Sequence, residues 1–206
     1  MKTIFKILAV LALALATFSQ HTTASAGSNF HFKGKSADAF FSSTDGCIIT
    51  EGFVFASEDV FQNPPGPGSA SSGVSLYIAR YNSCTDTLLL AADGFASLAD
   101  PDFQVTRKLT SATLTATVNV YDFVNDSFFD VFVDLAWTGT GPLGRQNGNF
   151  HFHSPGCNFN SHSNSTFRSA EASGTVSDGA TNFTPVPSLG ASISSAKSGD
   201  VVIGCG

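Results

Sequence analysis

The sequence predicts a single all-β domain, an antiparallel β-sandwich of the jelly-roll or Greek-key kind. Short alternating segments, frequent turn signals and the absence of a long helical period after residue 26 predict this fold class. The clearest alternation spans residues 109–139, where two amphipathic arms, 112–120 and 129–137, flank turn-forming residues 121–127. Two strands of this length are not stable alone, so we expect a second sheet to cover their apolar face.

The amino terminus has the pattern of a secretion signal. Lys2 and Lys6 form a basic start, residues 7–18 form a short apolar run, and Ala24-Ser25-Ala26 supplies the small residues that signal peptidase requires. The alternative, an uncleaved membrane anchor, is disfavoured because the run is too short to span a bilayer comfortably. We therefore predict a cleaved signal peptide at residues 1–26 and one exported domain at residues 27–206, with no later membrane span.

Cleavage of the signal would make the chain more acidic. Loss of Lys2 and Lys6 leaves eight cations against sixteen acids, so the formal charge changes from -6 to -8. A lysine-poor, acidic chain argues against nucleic acid and anionic membranes as partners.

The four cysteines lie in the exported part of the chain. An even number of cysteines in an oxidising compartment favours two disulfides, for which three connectivities are possible. Sequence order favours Cys47 with Cys84 and Cys157 with Cys205.

The second arm of the central hairpin carries a candidate ligand-binding surface. Phe128, Asp130, Phe132 and Asp134 alternate with the apolar core positions and so share the face expected to meet water. Either a loop covers the two phenylalanines, which is the commoner outcome, or they form an exposed strip that binds a ligand. Asp130 and Asp134 are separated by about 13 Å along a strand, which is farther than the paired carboxylates of glycosidases.

A histidine-rich segment is the candidate metal site. His151 and His153 would share one face of a strand with their Cα atoms about 6.7 Å apart, close enough for two imidazoles to converge on one metal. His162 follows shortly after and is the third candidate ligand. Copper and zinc are the metals that such imidazole ligands suit.

The segment around His151 and His153 resembles the copper-binding His-x-His signature of copper-zinc superoxide dismutases. That family also has a disulfide-containing Greek-key β-sandwich, and the resemblance implies copper ligation by these two histidines alone. It covers about eight residues, and only His162 remains downstream where the family uses several further histidines and an aspartate. The resemblance therefore does not extend to dismutase chemistry. Cys157 and His162 similarly resemble a blue-copper ligand loop, but the only methionine, Met1, lies in the signal.

The sequence has no nucleophile motif, phosphate loop or zinc-protease signature. The leading hypothesis is therefore a secreted, non-catalytic binding or surface module without a cofactor, whose aromatic and acidic strip would suit a carbohydrate or a calcium-assisted ligand. The first alternative is a copper- or zinc-binding sandwich that uses the histidine strand. The second is an extracellular hydrolase whose acids are brought together by loops.

Overall fold

The computed structural model describes residues 28–62, 68–154, 157–186 and 190–203, so the predicted signal peptide lies outside the described residues. Within these ranges the chain forms eleven strands: β1 Ser28–Asp45, β2 Ile48–Gln62, β3 Ser69–Asn82, β4 Thr87–Ser97, β5 Phe103–Val105, β6 Ser111–Asp122, β7 Ser127–Gly139, β8 Gly144–Ser154, β9 Cys157–Ser177, β10 Asn182–Phe183 and β11 Ala191–Ile203. The described part of the chain contains no helix with the length and apolar character needed to cross a membrane. The all-β, antiparallel, single-domain prediction is confirmed.

Eight of these strands form a closed circuit of backbone pairing. β1, β2, β3, β4, β6, β7, β9 and β11 pair in that order, and β11 pairs again with β1. Within the predicted class, the connectivity is therefore a meander and not the crossed jelly-roll or Greek-key arrangement, because the chain returns by short connections to a neighbouring strand. Opposed halves of the closed sheet enclose one core, as the two sheets of a sandwich would.

The central hairpin has the predicted form. β6 and β7 pair along twelve consecutive positions, and Val118 lies opposite Val131. Side chains on both strands alternate between buried and exposed, as their sequence pattern predicts. The apolar face is covered by the other strands of the same closed sheet.

The core is filled by side chains from every strand of the ring. Phe41 on β1 stacks on Phe183 of β10, with ring centroids 5.7 Å apart. Gly52 on β2 pairs regularly with Phe41 on β1 and with Ile78 on β3. A side chain at this position would collide with the Phe41 ring, so the glycine makes room for core packing.

β9 is the longest strand and serves two parts of the sheet. Residues 170–177 pair with β7 and close the ring, whereas residues 157–167 pair with β8. We call β8 and the segments that continue its ladder (157–167, 194–203, 28–36, 57–62 and 69–73) the extension. Its inner face continues the face that lines the core, because Lys35 lies two residues before buried Ala37 on β1.

A disulfide joins two neighbouring turns of the ring. Cys47, between β1 and β2, is bonded to Cys84, between β3 and β4, with a Cα separation of 5.4 Å. This part of the predicted disulfide framework is confirmed. The predicted bond between Cys157 and Cys205 involves groups outside the described part of the structure.

Candidate functional site

The hairpin strip consists of Tyr121 on β6 and Phe128, Asp130, Phe132 and Asp134 on β7, all on the outer face of the ring. Phe128 is 70% exposed and Phe132 is 45% exposed, so the covering loop expected as the commoner outcome does not bury them. Large apolar groups that stay in contact with water in a folded protein often mark interaction sites. The four β7 residues selected from the sequence therefore form one continuous surface.

The two carboxylates of the strip are held in place by neighbours on β6. Asn119 donates its side-chain amide to Asp130 Oδ1 at 2.7 Å, and Thr115 donates its hydroxyl to Asp134 Oδ1 at 3.2 Å. Each donor lies directly opposite its acceptor in the β6–β7 register. Because a carboxylate has about four acceptor positions, both acids keep the capacity to accept further hydrogen bonds.

Aromatic rings cluster at the turn end of the strip. The Tyr121 ring lies 4.9 Å from the Phe128 ring and 5.1 Å from the Phe123 ring, measured between centroids. The Tyr121 hydroxyl donates to Asp126 Oδ1 at 2.6 Å, and this hydrogen bond raises the pKa of Tyr121 above its usual value. The tyrosine is thereby fixed as a neutral, oriented ring beside Phe128.

Strand pairing also aligns a row of mostly aromatic side chains across six strands. Sequence reasoning missed this row. Residues directly opposite one another in consecutive ladders share a face of the sheet. The row runs through Phe40, Phe53, Tyr77, Asp93, Tyr121 and Phe128. With strands about 4.8 Å apart, it spans roughly 24 Å. The period-two pattern indicates that each side chain points outward, but the register that aligns them is not encoded locally.

The β1–β3 end of this row is more protected than its hairpin end. The Phe40 and Phe53 rings pack with centroids 4.7 Å apart. Burial, assisted by the charges of Asp93 and Glu51, raises the pKa of Tyr77 above its usual value. Along this row, the most exposed aromatic ring is therefore Phe128, and the hairpin strip continues from it to Phe132.

The predicted metal ligands lie on the inner face of the extension. His151 and His153 share one face of β8, as predicted, and His162 lies on the same face of β9. The Nδ1 atom of His151 hydrogen-bonds to Asn160 Oδ1, and that of His162 lies 2.8 Å from Asn149 Oδ1. Among the described residues, no group of three or more His, Cys, Asp or Glu side chains is placed to hold a metal ion.

A cleft of about 670 Å³ lies where the extension meets the ring. Lys35 and Glu58 line one side, with their charged groups 3.7 Å apart, and the segment around Phe103 lines the other. The Lys35 amino group also donates to the Val105 carbonyl at 3.3 Å. No local sequence pattern indicates this cleft, because it joins segments about 70 residues apart.

Comparison with known proteins adds little to this description. Neither a scan against protein-family models nor a search of curated proteins found a match. Among solved structures, a protein from Nitrosomonas europaea provisionally named AttH is similar with a TM-score of 0.30 and 9% identity. The match covers 92% of this chain and 55% of the other, so the chain spans about half the length of that protein.

Proposed function

We propose that the protein is an exported, non-catalytic binding module whose hairpin strip binds carbohydrate. The observation that carries the proposal is the exposure of Phe128 and Phe132 beside two oriented carboxylates. Sugar rings present C–H faces that stack on aromatic rings, and hydroxyl groups that donate to carboxylates. The alternation of phenylalanine and aspartate along β7 offers both kinds of contact to adjacent sugar units.

Export is supported by the disulfide. The bond between Cys47 and Cys84 suits an oxidising compartment, where such bonds persist. It agrees with the signal-peptide pattern of residues 1–26.

The spacing of the acids favours binding over hydrolysis. Asp130 and Asp134 are four residues apart on one strand, so their Cα atoms are separated by about 13 Å. Glycosidases place their two carboxyl groups roughly 5 to 9.5 Å apart. Moreover, each acid of the strip accepts a hydrogen bond from a neutral donor, which orients it as an acceptor for a ligand hydroxyl.

A glycan array tests the proposal. The exported chain should bind a defined subset of glycans, and the Phe128→Ala/Phe132→Ala variant should lose most of this binding. Leu143→Ala, which truncates an exposed apolar residue outside the strip, is the matched control and should bind normally. Binding that survives in the double variant would exclude the strip, and release of shorter sugars from a bound glycan would favour the hydrolase alternative.

A second candidate function, copper or zinc binding, is supported by His151 and His153, which share one face of β8; His162 lies on the same face of β9, but no group of three such ligands is placed to hold a metal among the described residues. Elemental analysis of the protein purified without added metal tests it, with His151→Ala/His153→Ala as the comparison. Stoichiometric metal that disappears in the variant would support the site. Equal metal content in both proteins, or none, would eliminate it.

A further inference from the structure

The cations of this acidic chain are concentrated on one surface. Of the eight Lys and Arg residues outside residues 1–26, five lie on the inner face of the extension or where it joins the ring. These five are Lys33, Lys35, Arg145, Arg168 and Lys197. The chain as a whole is acidic, but this face of it is therefore basic.

Two of these cations occupy opposed positions on neighbouring strands and so bring like charges together. Lys33 on β1 lies directly opposite Lys197 on β11, and both side chains are exposed. Like charges in directly opposed positions destabilise a sheet. An anion bound across the two strands would remove this repulsion.

Few acids balance the face within the described ranges. Glu58 is the acid on the inner face itself, where it forms an ion pair with Lys35. Asp100 lines the same cleft as Lys35. The acids of the neighbouring ladder positions, Asp59 and Asp200, project from the opposite face because they alternate with inner-face residues. Among the residues that the structure describes, Lys197 and Arg145 therefore have no acid opposite them on their own face, and Glu58, the acid diagonal to Lys33, is already paired with Lys35.

The remaining groups on this face are mostly amide and imidazole side chains, with Val60 and Val201 as apolar exceptions. Amide side chains dominate its β8 and β9 parts: Asn147, Asn149, Asn158, Asn160 and Asn164. The large aromatic side chains of the same strands, Phe150, Phe152 and Phe167, lie on the opposite face, because each is offset by an odd number of residues from the amides.

This separation discriminates between classes of anionic partner. Single-stranded nucleic acid binds through aromatic rings that stack on bases beside the cations, and a membrane surface is entered by apolar side chains. In its described part, the basic face carries no Phe, Tyr or Trp ring, and its apolar side chains in the extension, among them Val60 and Val201, are few and small. Amides and lysines side by side instead match a chain of hydroxyl and carboxylate or sulfate groups.

We propose that the inner face of the extension binds an acidic polysaccharide, with Lys33, Lys197 and Arg145 contacting its anionic groups and the asparagines its hydroxyls. The site is separate from the hairpin strip and does not depend on the function proposed for it.

Equilibrium binding to polygalacturonate tests this site, with the fully methyl-esterified polymer as the neutral control. Lys33→Gln/Lys197→Gln should weaken binding roughly tenfold, since each exposed charge contact is modest alone. Lys33→Arg/Lys197→Arg should preserve it. Arg107→Gln/Lys108→Gln, which removes two exposed cations outside the extension, should change the affinity less than about twofold.

Salt dependence and the remaining variants distinguish binding at this face from binding elsewhere on the chain. Affinity should fall steeply with salt for the unmodified chain and less steeply for the Gln variant. Phe128→Ala/Phe132→Ala should bind polygalacturonate normally, so failure of the strip would leave this result intact. No binding, equal binding of the neutral polymer, equal loss in the Arg107/Lys108 variant, or tighter binding of single-stranded DNA through the same lysines would overturn the proposal.

Discussion

Trp137 on β7 donates a hydrogen bond from its indole nitrogen to the backbone carbonyl oxygen of Asp38 on β1, at 2.8 Å. These strands are not neighbours, because β9 and β11 lie between them in the ring. The bond therefore crosses the interior, and the indole itself is only 1% exposed. A buried tryptophan whose N–H has a partner can fill a core without the cost of an unsatisfied donor.

Trp137→Phe should lower the free energy of unfolding by about 2 to 4 kcal/mol, because it leaves a cavity and removes the only donor that the side chain offers to Asp38. Urea unfolding followed by far-ultraviolet circular dichroism measures the loss. Phe132→Leu, on the exposed face, is the control and should change stability by less than about 0.5 kcal/mol. Similar losses in the two variants would contradict the placement of Trp137 in the core.

The Cys47–Cys84 bond closes a segment with a sequence separation of 37 residues. In the chain-entropy model, a loop of this length stabilises the fold by about 4 kcal/mol through restriction of the unfolded chain. Cys47→Ala/Cys84→Ala should lower the free energy of unfolding by roughly 2 to 4 kcal/mol when both proteins are measured under oxidising conditions. A loss below about 1 kcal/mol would show that this bond contributes little.

The sequence predicted the elements in which one face is apolar and the other polar. The alternation of β6 and β7 was sufficient, because burial of one face selects both strand structure and register. By contrast, the composition of residues 144–148 in β8 favours a loop, since glycine and asparagine are depleted in strands. The segment becomes a strand because β9 supplies a complete ladder for it to pair with.

The two candidate surfaces also differ in whether a local sequence pattern predicts them. Phe128, Asp130, Phe132 and Asp134 lie on one strand, so alternation alone placed them together. The basic face depends on the pairing of Lys33 with Lys197, which are far apart in sequence. Such register is set by the packing of the whole ring and has no local sequence signal.

Arg80 on β3 and Asp178, which follows β9, form an ion pair with an N···O distance of 2.7 Å. Burial opposes ionisation of Asp178, but hydrogen bonds from Arg80 and from the amides of Thr181 and Ala180 outweigh it and hold the pKa of this carboxyl below its usual value. A lowered folded-state pKa contributes stability that is present above the unfolded pKa of about 3.9 and is lost as the pH falls through the folded value.

Asp178→Asn should therefore lower stability at pH 7 and have a smaller effect near pH 2. The loss at pH 7 should be about 1 to 3 kcal/mol, since it removes a charge-assisted hydrogen bond from a partly buried pair. Unfolding midpoints measured from pH 7 to pH 2 provide the test. A difference between the two proteins that does not shrink with acid would contradict this assignment.

The pKa of Asp38 is shifted in the opposite direction from that of Asp178. Burial raises its pKa, although hydrogen bonds from the hydroxyl and the backbone amide of Ser192 oppose the shift. The contribution of this group to stability is therefore fully present below the unfolded pKa and is lost as the pH rises through the folded value.

Asp38→Asn, which keeps the acceptor oxygen and removes the charge, should raise the thermal midpoint at pH 7 and leave it nearly unchanged at pH 3. Ser192→Ala is a useful companion variant, because loss of its hydroxyl should lower the midpoint more at pH 7 than at pH 3. A midpoint for Asp38→Asn below that of the unmodified chain at pH 7 would contradict the raised pKa.

The central claim is that the hairpin strip binds carbohydrate without cleaving it. The most direct measurement is titration calorimetry with an oligosaccharide selected on the glycan array, for the unmodified chain and for Phe128→Ala/Phe132→Ala, followed by analysis of the recovered sugar. We expect saturable binding that weakens at least about tenfold in the variant, since each truncation removes a stacking ring, and an intact sugar afterwards. Equal affinity in the two proteins, or a shortened sugar, would contradict the claim.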